Sequence, residues 1–120
     1  MLFLKSKTIG NIGETKAVRY LRMKGYKILE TNYYTKFGEI DIITQKDECI
    51  CFIEVKTRQN DKFGEPRDAV NYYKQKKIIS VAEYYMATLK HDYNCRFDVI
   101  EVKISDNKVK IEHIKNAFWS

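Results

Sequence analysis

Four charged side chains interrupt two strand-like runs: Glu39 and Asp41 in Gly38-Glu39-Ile40-Asp41-Ile42-Ile43, and Glu54 and Lys56 in Phe52-Ile53-Glu54-Val55-Lys56. Both runs alternate with period two, so Glu39 and Asp41 share one face of the first strand, and Glu54 and Lys56 one face of the second. The turn-type residues Gln45 to Cys49 lie between them and predict a hairpin. With its centre between Asp47 and Glu48, Asp41 sits opposite Glu54 and Glu39 opposite Lys56. Facing carboxylates repel across a ladder. A divalent cation between them would remove that cost. The same residues also allow a bland arrangement, with Glu39 and Lys56 paired as ions on a solvated sheet face.

The chemistry in view is metal-dependent phosphodiester cleavage. It needs hard oxygen ligands for Mg²⁺, with Mn²⁺ as a substitute, usually one or two carboxylates completed by water and substrate phosphate. It also needs a cation near the attacking water or the charge developing on phosphorus. Asp41 and Glu54 can supply the ligands, the Val55 carbonyl another, and Lys56 the cation. The triplet E-x-K carries little alone, because Glu101-Val102-Lys103 repeats it later in the chain. Only the first copy follows an acidic strand at hairpin distance.

Several residues around this core have two readings. Glu14 is either the N3 member of a capping box begun by Asn11, or an additional carboxylate for metal or water. Gly10 and Gly13 on the same turn would let that helix approach the sheet or a phosphate closely. Lys74 shares a helix stripe with Val70, Ile78 and Val81, so it either snorkels to the rim or reaches the charged cluster and a phosphate. Lys76 and Lys77 extend the basic run, and Arg58, Lys62 and Arg67 border the loop before it. Together they make either a solvated helix face or a phosphate-binding surface, with Arg58, Lys74 and Lys77 the candidate contacts. The doublets Tyr33-Tyr34, Tyr72-Tyr73 and Tyr84-Tyr85 suggest base stacking, but each can place one ring in the core and one outside. His91 and His113 are too isolated for a zinc site.

The elements that must position these residues follow from periodicity and punctuation. Residues 9–24 read as a helix, capped by Asn11 or by Thr8 one turn earlier, with Gly25 as its stop. Strands are expected at 26–34, 39–44 and 50–57, with a turn at 36–38. After a polar loop from Arg58 to Glu65, Pro66 should open a long helix to Leu89, with Val70, Tyr73, Ile78, Val81, Ala82, Tyr85 and Leu89 as its apolar stripe. Strands at Arg96–Ile104 and Val109–Ile114 flank a turn at Ser105-Asp106-Asn107. The sum, α-β-β-β-α-β-β, is an α+β (α/β) mixed sheet flanked by helices. The long helix permits strands three and four to be parallel neighbours through a right-handed crossover.

A chain of 120 residues should form one domain over 1–120. Its net charge of +6 favours a polyanionic partner such as nucleic acid. Three cysteines without a C-x-x-C read as reduced thiols in a cytoplasmic protein. No run is apolar enough for a membrane span or a secretory leader.

Gly13-Glu14 with Ala17 and Tyr20-Leu21, Gly25-Tyr26, Asn32, Gly38-Glu39-Ile40-Asp41, Glu54-Val55-Lys56-Thr57-Arg58, Lys74 and Arg96-Phe97-Asp98-Val99-Ile100 resemble the YraN family of bacterial proteins. That family is similar to the PD-(D/E)xK, or restriction-endonuclease-like, nucleases and to archaeal Holliday-junction resolvases. The resemblance implies a restriction-endonuclease-like α-β-β-β-α-β core with an extra C-terminal strand, bound Mg²⁺ and DNA cleavage by a homodimer. By the same resemblance Asp41 matches the metal-binding aspartate, Glu54 and Lys56 the E-x-K pair, and Glu14 the glutamate of the first helix. One departure is Ile40, where the superfamily motif carries proline. The expected function is a Mg²⁺-dependent, resolvase-like DNA endonuclease acting on structured or branched DNA. The alternatives are a non-catalytic nucleic-acid-binding module and a protein-interaction domain using the charged face.

Overall fold

The computed structural model describes residues 6–59 and 71–118. Helix α1 (Ser6–Met23) is followed by strands β1 (Lys27–Thr35), β2 (Gly38–Lys46) and β3 (Cys49–Gln59), helix α2 (Tyr72–Ala87), and strands β4 (Asn94–Ser105) and β5 (Lys108–Phe118). The five strands form one sheet in the order β1-β2-β3-β4-β5. Only β3 and β4 run parallel, joined by the crossover that contains α2; the other neighbours are antiparallel. The α+β architecture with a mixed sheet and two helices is therefore present as expected.

The sheet is apolar on both faces, and each face takes one helix. Ala17 and Leu21 of α1 pack with Tyr26, Ile42, Cys51, Ile53, Ile100 and Val102. Ile78, Val81 and Ala82 of α2 pack on Ile43, Ile50, Phe52, Phe97 and Val99. Alternation along β2 and β3 sends successive side chains to opposite helices. Ile40 is the exception. It joins Ile43 in the α2-side core although three residues away, so the alternation breaks around Asp41.

Both helix starts differ from expectation. Helix α1 begins at Ser6, so Asn11 and Thr8 lie inside it and neither is its N-cap. Glu14 is therefore not the N3 residue, and its carboxylate has no capping task. Helix α2 begins at Tyr72, where extended Asn71 accepts a hydrogen bond from the Lys74 amide and caps the helix. Pro66 and Val70 lie outside the described residues. The side-chain signal at Asn71 is stronger than the proline signal that pointed to an earlier start. Strand β3 continues through Arg58 to Gln59 and pairs with β4 throughout, so Arg58 is sheet rather than loop.

The β2–β3 register follows the hairpin centre read from the sequence: Ile42 faces Ile53, Ile43 faces Phe52 and Lys46 faces Cys49. At the β4–β5 turn, Asp106 and Asn107 have φ of 41° and 64°, which suits a tight two-residue hairpin. All three cysteines are free, and no described helix is long and apolar enough to cross a membrane.

A buried polar clasp ties α1 and β5 to β4. Asp98, fully buried at a bulge in β4, accepts Arg96 Nε at 2.9 Å, His113 Nε2 at 2.8 Å and the Asn116 amide at 3.1 Å. His113 Nδ1 in turn lies 3.1 Å from the Tyr20 hydroxyl of α1. Burial would raise the Asp98 pKa, but the hydrogen bonds from His113 and Arg96 outweigh it and hold the carboxyl below its ordinary value. Asp98→Ala strands the Arg96 charge, so about 3–5 kcal/mol of stability should be lost in denaturant titration.

Gly13 decides how close α1 comes to the sheet. A Cβ at this buried position would collide with Oγ1 and Cβ of Thr57 on β3. Gly13→Ala should push α1 outward, lower stability by about 1–3 kcal/mol in urea unfolding, and draw Glu14 away from β2.

Candidate metal centre

The β2–β3 ladder stops at the pair Ile42–Ile53. One step further along the same register stand Asp41 and Glu54, the two carboxylates that the sequence placed opposite each other. There the strands part, and the Val55 amide donates to Asp41 Oδ2 at 2.8 Å. The Asp41 side chain thus replaces a ladder bond where the backbone gives one up. Glu54 is only 8% exposed, and its charge acts directly on the Asp41 carboxyl.

Each helix delivers one charged group to this opening. From α1, Glu14 lines one depression with Asp41 and Asn32 and feels the charge of Asp41. From α2, the Lys74 ammonium forms an ion pair with Glu54 Oε1. Lys74 therefore faces the cluster rather than merely reaching the rim. Lys56 is exposed and lines the same depression, of about 460 Å³, as Gly10, Glu14, Asp41, Glu54 and Lys74. Among the described residues Glu39 and Lys56 form no ion pair, so the solvated salt-bridge arrangement is not the one adopted. Half-buried Glu39 instead stands opposite Tyr34 across the β1–β2 ladder and adds its negative charge to the field at Glu14 and Asp41.

This crowding has a direct electrostatic signature. Burial, then the charge of Glu54, pushes the Asp41 carboxyl up to about 7, against the opposing effect of the Val55 amide. Glu14 is raised too, first by burial and then by the charges of Asp41 and Glu39. A carboxyl group crowded by like charge holds its proton more tightly. A hard cation can take that proton's place, and the oxygen-only donor set of Asp41 and Glu54 fits Mg²⁺ or Mn²⁺. No three His, Cys, Asp or Glu side chains among the described residues close into a cage. Two carboxylates with water and substrate oxygens is the arrangement Mg²⁺ usually takes.

The remaining candidates divide. Lys77 lies one turn beyond Lys74 on α2, with its ammonium 4.7 Å from the Tyr73 ring centroid. Arg58 stands on β3 with its Nε 3.0 Å from Glu101 Oε2, committed to a buried carboxylate of the neighbouring strand. One contributor carried no assigned role in the sequence. Asn32 sits mid-strand with φ of 51° and lines the same depression as Glu14 and Asp41. An asparagine among strand-forming residues was the available signal, since it tolerates this left-handed conformation.

The Asp41 shift predicts a pH effect with a definite sign. Its folded-state pKa lies above the ordinary 3.8, so its contribution to stability is complete below about pH 4 and is lost as pH rises through about 7. Asp41→Asn keeps an oxygen acceptor for the Val55 amide but carries no charge. In the presence of EDTA the variant should melt about 5 °C above the parent at pH 8, and the gap should close by pH 5 in thermal scans.

Comparison with known proteins gives this constellation a family. Residues 13–102 match the model described as "Uncharacterised protein family UPF0102", a span that contains Glu14, Asp41, Glu54, Lys56 and Lys74. A UPF0102 protein of Thermodesulfovibrio yellowstonii is 53% identical over 92% of this chain and 96% of its own length. One from Alkaliphilus oremlandii is 51% identical, covering 94% of this chain and 99% of the relative. One from Clostridioides difficile is 50% identical, covering 96% and 100%. On the model match and these near full-length identities, the chain belongs to the UPF0102 family.

Proposed function

We propose that the protein is a divalent-cation-dependent DNA endonuclease of the restriction-endonuclease-like type, with a resolvase-like preference for structured or branched DNA. The observation that carries this reading is the facing carboxylate pair Asp41–Glu54 at the opening of the β2–β3 ladder. Lys56 and Lys74 line the same depression, in a chain of net charge +6. A carboxylate pair beside two ammonium groups suits a ligand that is itself anionic and brings a metal.

Each residue then has a task. Asp41 and Glu54 hold the cation, with the Val55 carbonyl as a further oxygen. A cation bound there would supply Lewis-acid polarisation. Glu14, beside Asn32, orders water next to Asp41. Lys56 orients the attacking water and stabilises the charge that develops on phosphorus. With Glu54 holding a metal, the Lys74 ammonium would be available to phosphate. Lys77 and the terminal nitrogens of Arg58 contact neighbouring phosphates. A junction presents two scissile strands, so a homodimer would bring two such sites, and a DNA substrate would place the protein in the cytoplasm.

Purified protein incubated with branched, flapped and linear DNA in Mg²⁺ or Mn²⁺ should nick DNA. Asp41→Ala and Lys56→Ala should each slow cleavage by about 10²–10³-fold. Glu14→Gln, acting one contact further out, should slow it by about 10–100-fold. Cleavage that survives both Asp41→Ala and Lys56→Ala would sink the assignment. Salt-dependent binding without cutting in any metal would identify a non-catalytic nucleic-acid module. Mg²⁺ should also raise the melting temperature of the parent at pH 8 and leave Asp41→Asn unmoved.

A further inference from the structure

Two of the three tyrosine doublets divide between core and solvent. Tyr33 and Tyr85 pack against the α2-side core, while Tyr34 and Tyr84 are 73% and 51% exposed. Tyr72 and Tyr73 do not divide: they are 71% and 70% exposed. The expectation that Tyr73 belongs to the apolar stripe is thus overturned, because α2 begins late and its first turn extends past the core that Ile78 and Val81 cover.

These rings stand next to the proposed site. Lys74 is the following residue and pairs with Glu54. Each ring carries an ammonium group one turn on, Lys76 at 5.1 Å from the Tyr72 centroid and Lys77 at 4.7 Å from that of Tyr73. The i, i+4 spacing holds each cation over one ring face. Tyr73, Lys77 and Tyr84 recur along one side of α2 over about 16 Å. Phe37, in the β1–β2 turn and 43% exposed, adds a ring 6.4 Å from Tyr84.

Solvent-facing rings alternating with ammonium groups match the chemistry of single-stranded nucleic acid. Unpaired bases stack on the rings while phosphates take the cations. An uninterrupted duplex keeps its bases stacked on one another and offers no free face. We infer that this side of α2 binds unpaired nucleotides next to the scissile phosphate, so that the substrate carries a single-stranded segment, as in a flap or an opened junction arm. The inference rests on the nuclease reading for the position of that phosphate, and on ring exposure and charge for the rest.

Fluorescence anisotropy in the Asp41→Asn background separates binding from cutting. Labelled single-stranded, flapped and blunt duplex DNA of one sequence are the probes. Tyr73→Ala should weaken binding to the first two by about 5–100-fold and to duplex by less than about twofold. Tyr73→Phe, which keeps the ring, should bind as the parent does. The melting temperature should not move, since the ring is exposed. Equal losses on all three probes, or no loss, would overturn the inference while leaving the nuclease reading intact. So would unchanged binding with a shift from dimer to monomer on sizing, which would assign the rings to a second copy of the chain. If the parent binds no nucleic acid, both readings fall together.

Discussion

The site depends on one unpaired amide. Strands β2 and β3 hold register as far as Ile42 and Ile53 and then separate, which leaves the Val55 N–H needing an acceptor. Buried amides are almost always satisfied, and here the acceptor is Asp41 Oδ2. That bond fixes the Asp41 carboxylate beside Glu54 instead of letting it turn to solvent. The electrostatic cost of the carboxylate pair is therefore built into the backbone geometry. It cannot be relieved by a rotamer change without stranding the amide.

The two-sided core explains why the remaining charges converge on the same place. A sheet apolar on both faces needs a helix on each, and each helix reaches the parted strands with one functional side chain. On one face, Gly13 lets α1 lie against Thr57, and the next residue is Glu14. On the other face, Ile78 and Val81 seat α2 on the sheet, and one turn before them Lys74 pairs with Glu54. Packing and function share these helices, so a change in helix height on the sheet is also a change in the site.

What the sequence disclosed was local in character. Period-two alternation and a short turn were enough to give the β2–β3 register, and the opposition of Asp41 and Glu54 follows from that register alone. The parallel β3–β4 pairing was legible because a long helix lies between them. Capping signals misled in both helices. Asn11 fits a cap by residue type but lies in the helix interior, and the start of α2 is set by Asn71 instead of Pro66. The clasp around Asp98 brings together Tyr20, Arg96 and His113 across 93 positions of chain, and no spacing rule reports such a contact. His113 looked isolated only because its partners are distant in sequence.

The two copies of Glu-Val-Lys show why the tripeptide is not itself a site. Both lie on the parallel pair of strands, with Lys56 beside Glu101 across the ladder. Glu101 is buried against cations, with Arg58 Nε at 3.0 Å and Lys103 Nζ at 3.5 Å, so its charge is already compensated by its own sheet. Among the described residues Glu54 pairs with one cation, Lys74, and it faces a second carboxylate across the opened ladder. A buried carboxylate surrounded by cations is structural and gains nothing from a metal. Two facing carboxylates with one lysine between them leave a deficit of positive charge that a divalent ion corrects. The difference between the copies lies in what stands opposite, not in the triplet.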